Sequence, residues 1–295
     1  MNTVMVTGAC GQLGRELRIV ALHSPDRYIF TDIIEADGLE TVHLDMTDIP
    51  SVKELVSREG VNVIVNCAAF TNVEAAEDYY GLAELLNRDA VAGLASVAAE
   101  LGILLIHIST DYVFGGQKFD TPIPESAPTS PLGAYGMTKL AGEQALATSG
   151  CRYVIIRTAW LYSEFCKNFM KTMLSLFEKR ESVSVVADQW GTPTYARDLA
   201  SVILKVIGNP VGGVFHYTDE GMCTWFDFAS EIARISGASC TVNPCTTAEY
   251  PTKAARPAYS VLDKTKIKET YSISIPSWQD SLGACYNHYK KLTEK

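Results

Sequence analysis

The chain has no apolar run that approaches the ~20 residues of a membrane-spanning helix, so no span across a bilayer is expected. It has no excess of positive charge. A formal net charge of -9 argues against a broad nucleic-acid-binding face, although a small anionic ligand needs only a local pocket of donors. Its eight cysteines include no Cys-x-x-Cys pair and no paired Cys/His spacing, which argues against a zinc ribbon and against a disulfide framework. They read as reduced thiols of a cytoplasmic protein. Internal repeats and low-complexity tracts are missing, and no secretory leader is expected, because Thr3–Thr7 already reads as a strand.

What is present is an ordinary globular composition, 47% hydrophobic and 20% charged, in 295 residues that suffice for one large or two modest domains. The first strand delivers into Gly8-Ala9-Cys10-Gly11-Gln12-Leu13-Gly14, and Leu13, Leu17, Val20 and Ala21 then follow a helical period. A strand, a glycine-rich turn and a helix N-terminus together make a pyrophosphate site. Gly8, Cys10, Gly11, Gln12, Leu13 and Gly14 are therefore candidate dinucleotide ligands, in a Gly-x-x-Gly-x-x-Gly arrangement. Asp32 ends the second strand, Tyr28–Thr31, where a carboxylate suits ribose hydroxyls and repels a 2′-phosphate. That favours NADH, but Arg15 beside the loop leaves NADPH open. A third strand, Thr41–Leu44, runs into Asp45 and Met46 at the expected adenine edge, with His43 read as structural. A fourth, Val61–Asn66, has the continuous apolar character of a strand buried on both faces, and it ends in Ala68 and Ala69, small enough for a cofactor to lie across. A helix over 82–101 carries Asn87, a further candidate cofactor ligand.

The fifth strand leads into Ser109-Thr110-Asp111-Tyr112, and after a proline-containing loop come Tyr135 and Lys139. Positions four apart share a helix face, so the Lys139 ammonium is expected beside the Tyr135 phenol, lowering it from its usual pKa of about 10. Thr110, Tyr135 and Lys139 are the candidate catalytic group. Strands and helices have by then alternated five times, which predicts a Rossmann-type, doubly wound parallel α/β sheet. A sixth strand, Tyr153–Arg157, and helices over 168–180, 196–207, 225–235 and 277–289 follow, the last read as a surface helix. The expected division is a dinucleotide-binding domain over 1–160, with return segments around 183–218, and a smaller C-terminal α/β substrate domain over 161–295. Trp160 and Trp190 read equally well as core or as site residues.

Taken together, the glycine loop, the Ser109–Phe114 stretch, Tyr135-x-x-x-Lys139 continuing to Glu143, Arg157–Trp160, Asn168-Phe169, Asp188–Thr194 and Arg256-Pro257 resemble the extended short-chain dehydrogenase/reductase superfamily. More narrowly, they resemble its dTDP-4-dehydrorhamnose reductase family, over essentially the whole chain. The resemblance implies hydride transfer from NADPH or NADH to C4 of a nucleotide-linked 6-deoxy-4-keto sugar, in dTDP-rhamnose biosynthesis. It makes Tyr135 the general acid, Thr110 a donor to the carbonyl oxygen, and Lys139 the group that tunes Tyr135 and holds the nicotinamide ribose. It places Asp111, Tyr112 and Trp160 on the sugar side, and Asn168, Gln189 and Arg256 near the nucleotide diphosphate. Tyr112 stands where the superfamily's 4,6-dehydratases carry a glutamate, which argues against water elimination. Some family members bridge a dimer with magnesium held by glutamates. Glu16 matches one such position but Arg197 occupies another, and a guanidinium cannot ligate a cation. No metal is expected, and the chain is expected to be a monomer or a weak homodimer. The alternatives left open are a non-catalytic NAD(P)-binding subunit like that of methionine adenosyltransferase, and another nucleotide-sugar 4-reductase or epimerase.

Overall fold

The computed structural model describes residues 1–294. Its centre is a seven-stranded sheet made of β1 (Thr3–Thr7), β2 (Arg27–Asp32), β3 (Val42–His43), β4 (Val63–Asn66), β5 (Leu104–Thr110), β6 (Arg152–Thr158) and an edge strand, Gly213–His216. Their spatial order is edge strand, β6, β5, β4, β1, β2, β3, and every pairing is parallel. Chain order reverses between β1 and β4. In an open α/β sheet, that switch point opens a crevice beyond the carboxyl ends of the strands.

The continuous apolar runs have their reason in the layers around the sheet. Val4, Val6, Val65 and Ile106 face a layer formed by α1 (Gln12–Ala21) and the helix Ala196–Gly208. Met5, Ile64 and Leu105 face α2 (Ile49–Glu59) and the helix Ala90–Leu101 on the other side. With both faces covered, an alternating polar pattern would have no water to reach. The predicted helix over 82–101 is not continuous. Its hydrogen bonding widens over Leu85–Asp89, a departure typical of places where a side chain is redirected. The side chain in question is that of Asn87, fully buried and bonded to the chain at Phe70.

A second lobe is built from the parallel pair Ser182–Val186 and Thr241–Cys245 with the helices Phe169–Phe177, Trp225–Ser236 and Trp278–Thr293. Met170, Phe228, Leu282 and Cys285 form its core. Two details differ from the sequence reading. Ser182–Val186 does not return to the large sheet, because Val183 and Val185 pack in the second lobe; the return is made by Ala196–Gly208, the edge strand and the helix Thr265–Tyr271, whose Ile267 is buried with the first layer. Nor is the final helix a surface element. Trp278, Leu282 and Cys285 recur at helical spacing and are buried on one face. No helix among the described residues is long and apolar enough to cross a membrane.

Candidate active site

A cavity of about 760 Å³ lies at the switch point, over the ends of β1, β4 and β5. Its floor is the glycine loop. Gly8 has φ +66°, and a Cβ there would lie 2.7 Å from the Ala68 nitrogen; a Cβ at Gly14 would overlap the Gly8 carbonyl oxygen. The backbone is thus folded so tightly that a side chain at either position would force the loop apart. The helix that follows starts without a side-chain cap and without an acidic residue in its first turn, so its first N–H groups are available to an anion. Asp32 sits at the far side of the loop, where Oδ2 accepts the Cys10 N–H at 2.9 Å and Oδ1 accepts that of Ile34 at 3.1 Å. Leu44, Asp45, Met46, Ala68 and Ala69 line the same cavity. A glycine cradle, an adjoining carboxylate and a floor of small residues fit a dinucleotide.

Asn87 does not line it. Its amide donates to the Phe70 carbonyl at 3.1 Å and to Thr138 Oγ1 at 3.1 Å, and accepts the Phe70 N–H at 2.9 Å. A buried amide with those bonds holds the loop after β4 in place, and the expectation of a direct cofactor ligand is corrected accordingly.

Thr110, Asp111, Tyr112, Tyr135 and Lys139 meet at the other end of the cavity. Tyr135 and Lys139 share a face of the helix Gly133–Thr148, as their spacing requires, yet the electrostatics run opposite to the sequence expectation. The Lys139 ammonium turns toward β5, donating to the Ile108 carbonyl at 2.7 Å and lying 3.3 Å from His107 Nε2. Burial brings it down to about 8, against the opposing pull of Glu143 and Cys67. Burial pushes the Tyr135 phenol up to about 12; the Thr110 hydroxyl works against that shift and the Asp111 carboxyl adds to it. The phenol is therefore a firmly held proton. Asp111 is pushed up to about 6, chiefly by burial. Its Oδ1 accepts from Thr110 Oγ1 at 2.9 Å, while its buried Oδ2 has no partner among the described residues. Behind this group, Glu143 accepts from Ser109 Oγ at 2.5 Å and from Arg157 Nη2 at 2.7 Å, which pins the ends of β5 and β6 to the Tyr135 helix. That is the task of the Glu143 and Arg157 motif positions.

The second lobe supplies the remaining wall. Trp160 adopts φ +49° and stacks on Trp225 with ring centroids 3.5 Å apart and planes 10° from parallel. Phe169 tilts against the other indole at 4.6 Å. Asn168 lines the cavity and also caps the helix Phe169–Phe177, accepting the Lys171 N–H at 3.1 Å while its amide donates to Gln12 Oε1 at 2.9 Å. Gln189 is a second correction: it is buried outside the cavity lining and donates to Thr247 Oγ1 at 3.1 Å. Arg256 lines the cavity, with Nη2 2.9 Å from Glu74 Oε1. Trp225, Phe169 and Lys167 line it too and were not among the expected site residues. The one sequence signal near Trp225 is the capping box Thr224/Asp227, which marks a helix start but says nothing of a cavity.

At the position discussed for a metal, the Arg197 guanidinium bridges two carboxylates, with Nε 2.7 Å from Glu16 Oε2 and Nη2 on Glu164. Among the described residues no group of three or more His, Cys, Asp or Glu is placed to hold a metal ion.

Residues 1–291 match the family model described as the RmlD substrate binding domain. The dTDP-4-dehydrorhamnose reductase of Aggregatibacter actinomycetemcomitans is 38% identical over 294 residues, covering 96% of this chain and 97% of that protein. A crystal structure of a dTDP-4-dehydrorhamnose reductase from Clostridium acetobutylicum superposes with a TM-score of 0.91 at 40% identity, covering 98% of this chain and 99% of that one. The Bacillus anthracis reductase, solved in complex with NADP, gives a TM-score of 0.89 at 34% identity, with 98% and 99% covered.

Proposed function

The chain belongs to the RmlD substrate-binding-domain family of dTDP-4-dehydrorhamnose reductases, and from that premise we propose that it reduces the C4 keto group of dTDP-4-dehydro-L-rhamnose to give dTDP-L-rhamnose, using NADH or NADPH. The observation that carries the reading is one cavity holding both a glycine cradle and the Thr110–Tyr135–Lys139 group, with Asp111 and Tyr112 on its lining. When bound, the reduced nicotinamide supplies the hydride. The chain's own groups then handle the oxygen. Tyr135, protonated throughout the neutral range, gives its phenolic proton to the carbonyl oxygen as negative charge develops there, and the Thr110 hydroxyl becomes the second donor by turning from Asp111 Oδ1 to that oxygen. Lys139 supplies the nearby positive charge and holds the cofactor ribose. Asp111 accepts from a sugar hydroxyl, and Tyr112 and Trp160 form the apolar wall against the ring. In this division of labour the lobe of the large sheet holds the cofactor and the second lobe the sugar nucleotide. Free cysteines and a nucleotide-linked substrate support a cytoplasmic location.

The test is loss of reduced-nicotinamide absorbance on addition of the 4-keto sugar nucleotide, with NADH and NADPH run in parallel. Turnover with neither cofactor would refute the proposal. The same experiment ranks the cofactors, and NADH is expected to lead. Asp32 lines the cavity beside the glycine loop, and the two guanidiniums carried by α1 are each partly engaged within the protein. Arg15 donates to the Cys10 carbonyl at 2.9 Å and lies over the Phe165 ring; Arg18 donates to the Glu40 carbonyl at 2.7 Å and to Thr41 Oγ1 at 3.1 Å, over Phe30. The expected preference in kcat/KM is on the order of tenfold, and Asp32→Ser should narrow it by improving NADPH. Equal or better use of NADPH by the unaltered protein would remove Asp32 from that role.

We also infer a monomer or weak homodimer with no bridging metal, because the Arg197 guanidinium, which cannot ligate a cation, already sits between Glu16 and Glu164. Solution mass measured by light scattering should be the same in magnesium and in chelator. A mass that doubles with magnesium would count against it.

A further inference from the structure

Next to Val73 and Arg256 of the cavity wall, one carboxylate gathers three donors from a distant stretch of chain. Glu74 lies in the short helix Val73–Ala76 that follows β4. Its Oε2 accepts the N–H of Lys253 at 2.9 Å and of Ala254 at 3.1 Å, and its Oε1 accepts from Arg256 Nη2 at 2.9 Å. The Lys253 ammonium pairs with Asp78 close by. On either side, the same stretch of chain is tied to the second lobe instead. Thr247 donates its N–H to Asp188, and Ala258 accepts the Trp190 N–H at 2.9 Å. Residues 247–258 therefore form a strap whose ends are fixed on the second lobe and whose middle is fixed on the first by Glu74.

The strap carries Arg256 to the cavity wall, where Tyr112 and Val73 also lie. A guanidinium has five N–H groups in one plane, so fixing Nη2 on Glu74 sets the direction of the rest. Its Nε is buried and has no partner among the described residues. About a third of the Arg256 side chain remains exposed at the cavity wall, and the planar donor edge of a guanidinium matches phosphate oxygens. We propose that Glu74 is a positioning residue: by holding the strap at Lys253, Ala254 and Arg256, it sets the Arg256 guanidinium to receive the diphosphate of the sugar nucleotide. The inference rests on the reductase reading above, which supplies the diphosphate.

The experiment measures dTDP affinity by calorimetry, with KM for the 4-keto sugar nucleotide and for NADH, in the unaltered protein, Glu74→Ala, Glu74→Gln, Arg256→Lys and Glu74→Ala/Arg256→Lys. Glu74→Ala should weaken dTDP and raise the sugar-nucleotide KM by about tenfold, the worth of one charge-assisted contact, while KM for NADH changes by less than about twofold. Glu74→Gln keeps an oxygen for the two backbone N–H groups and should recover part of the loss. The double variant should be no weaker than Arg256→Lys alone, as expected when one residue acts through the other. Equal dTDP affinity in Glu74→Ala and the unaltered protein would overturn the role of Glu74 alone. A parallel loss of NADH and dTDP binding would also overturn it, by marking a general structural defect. No dTDP binding by the unaltered protein would overturn the reductase reading and this inference with it.

Discussion

Tyr135→Phe is expected to lower kcat by about 10²- to 10⁴-fold, the range that a positioned proton donor contributes, while NADH binds within about twofold of its original affinity. The substitution removes one hydroxyl and keeps the ring. Its edge-on packing with Tyr112, at 5.4 Å between centroids, is retained, so the fold should be little affected. The pH profile carries the sharper information. A general acid must be protonated, so activity is lost as pH rises through its pKa. Burial holds the Tyr135 phenol up at about 12 and brings Lys139 down to about 8. The unaltered enzyme should therefore lose activity on an alkaline limb near pH 8, as Lys139 gives up its charge, and not near the usual phenol value. The residual activity of Tyr135→Phe should keep that limb, because Lys139 is still present. Lys139→Met should remove it. An alkaline limb that disappears in Tyr135→Phe would instead mean that the phenol itself titrates near neutrality, as the spacing of the two residues suggested before their surroundings were known.

That reversal marks the limit of what the sequence discloses about the site. The four-residue spacing put Tyr135 and Lys139 on one helix face, which is a local property. Which way the lysine then turns depends on the Ile108 carbonyl and His107 at the end of β5, far along the chain. The fold was more legible. Val63–Val65 and Leu104–Ile106 are continuously apolar because helices cover both faces of the sheet, and the glycine loop sits where strand meets helix. Asn87 and Gln189 read as ligands for a different reason. A polar side chain that satisfies buried backbone or hydroxyl groups has the same composition as one that binds a cofactor, and only its partners, Phe70 and Thr138 for the first and Thr247 for the second, tell them apart. Trp225 was missed because its meaning lies in the Trp160 indole it stacks against, and no local period links the two.

The largest effect on stability is expected from Arg197→Met. Glu16 is fully buried and Glu164 nearly so; their charges face one guanidinium, which Tyr195 supplements by donating to Glu164 Oε2 at 2.9 Å. Removing one partner of a buried ion pair leaves uncompensated charge and typically costs about 3–5 kcal/mol. Here one of the two carboxyls can escape part of that cost by taking a proton. Even with Arg197 present, burial and the neighbouring Glu164 push the Glu16 carboxyl from its ordinary 4.5 up to about 8. The folded chain then keeps a proton that the unfolded chain releases at about 4.5, so this group's contribution to stability is complete below that pH and is lost as pH rises toward about 8. The slope in that window is at most about 1.4 kcal/mol per pH unit. In Arg197→Met the decline should be deeper and extend to higher pH, since the opposing cation is gone. Glu16→Gln should flatten it, and Glu16→Gln/Arg197→Met should be more stable than Arg197→Met alone at pH 8, because the charge left unpaired has been removed as well. Urea unfolding followed by tryptophan fluorescence at several pH values between 5 and 9 measures all four proteins. An Arg197→Met loss within the ~0.5 kcal/mol of an ordinary surface substitution would show that the bridge holds little. An unchanged slope in Glu16→Gln would place the retained proton elsewhere, with Asp219 the next buried carboxyl raised by desolvation. Glu16 lies on α1, directly after the glycine cradle, and Glu164 lies in the second lobe. Loss of the bridge should therefore loosen the cradle against that lobe and weaken NADH binding along with the fold.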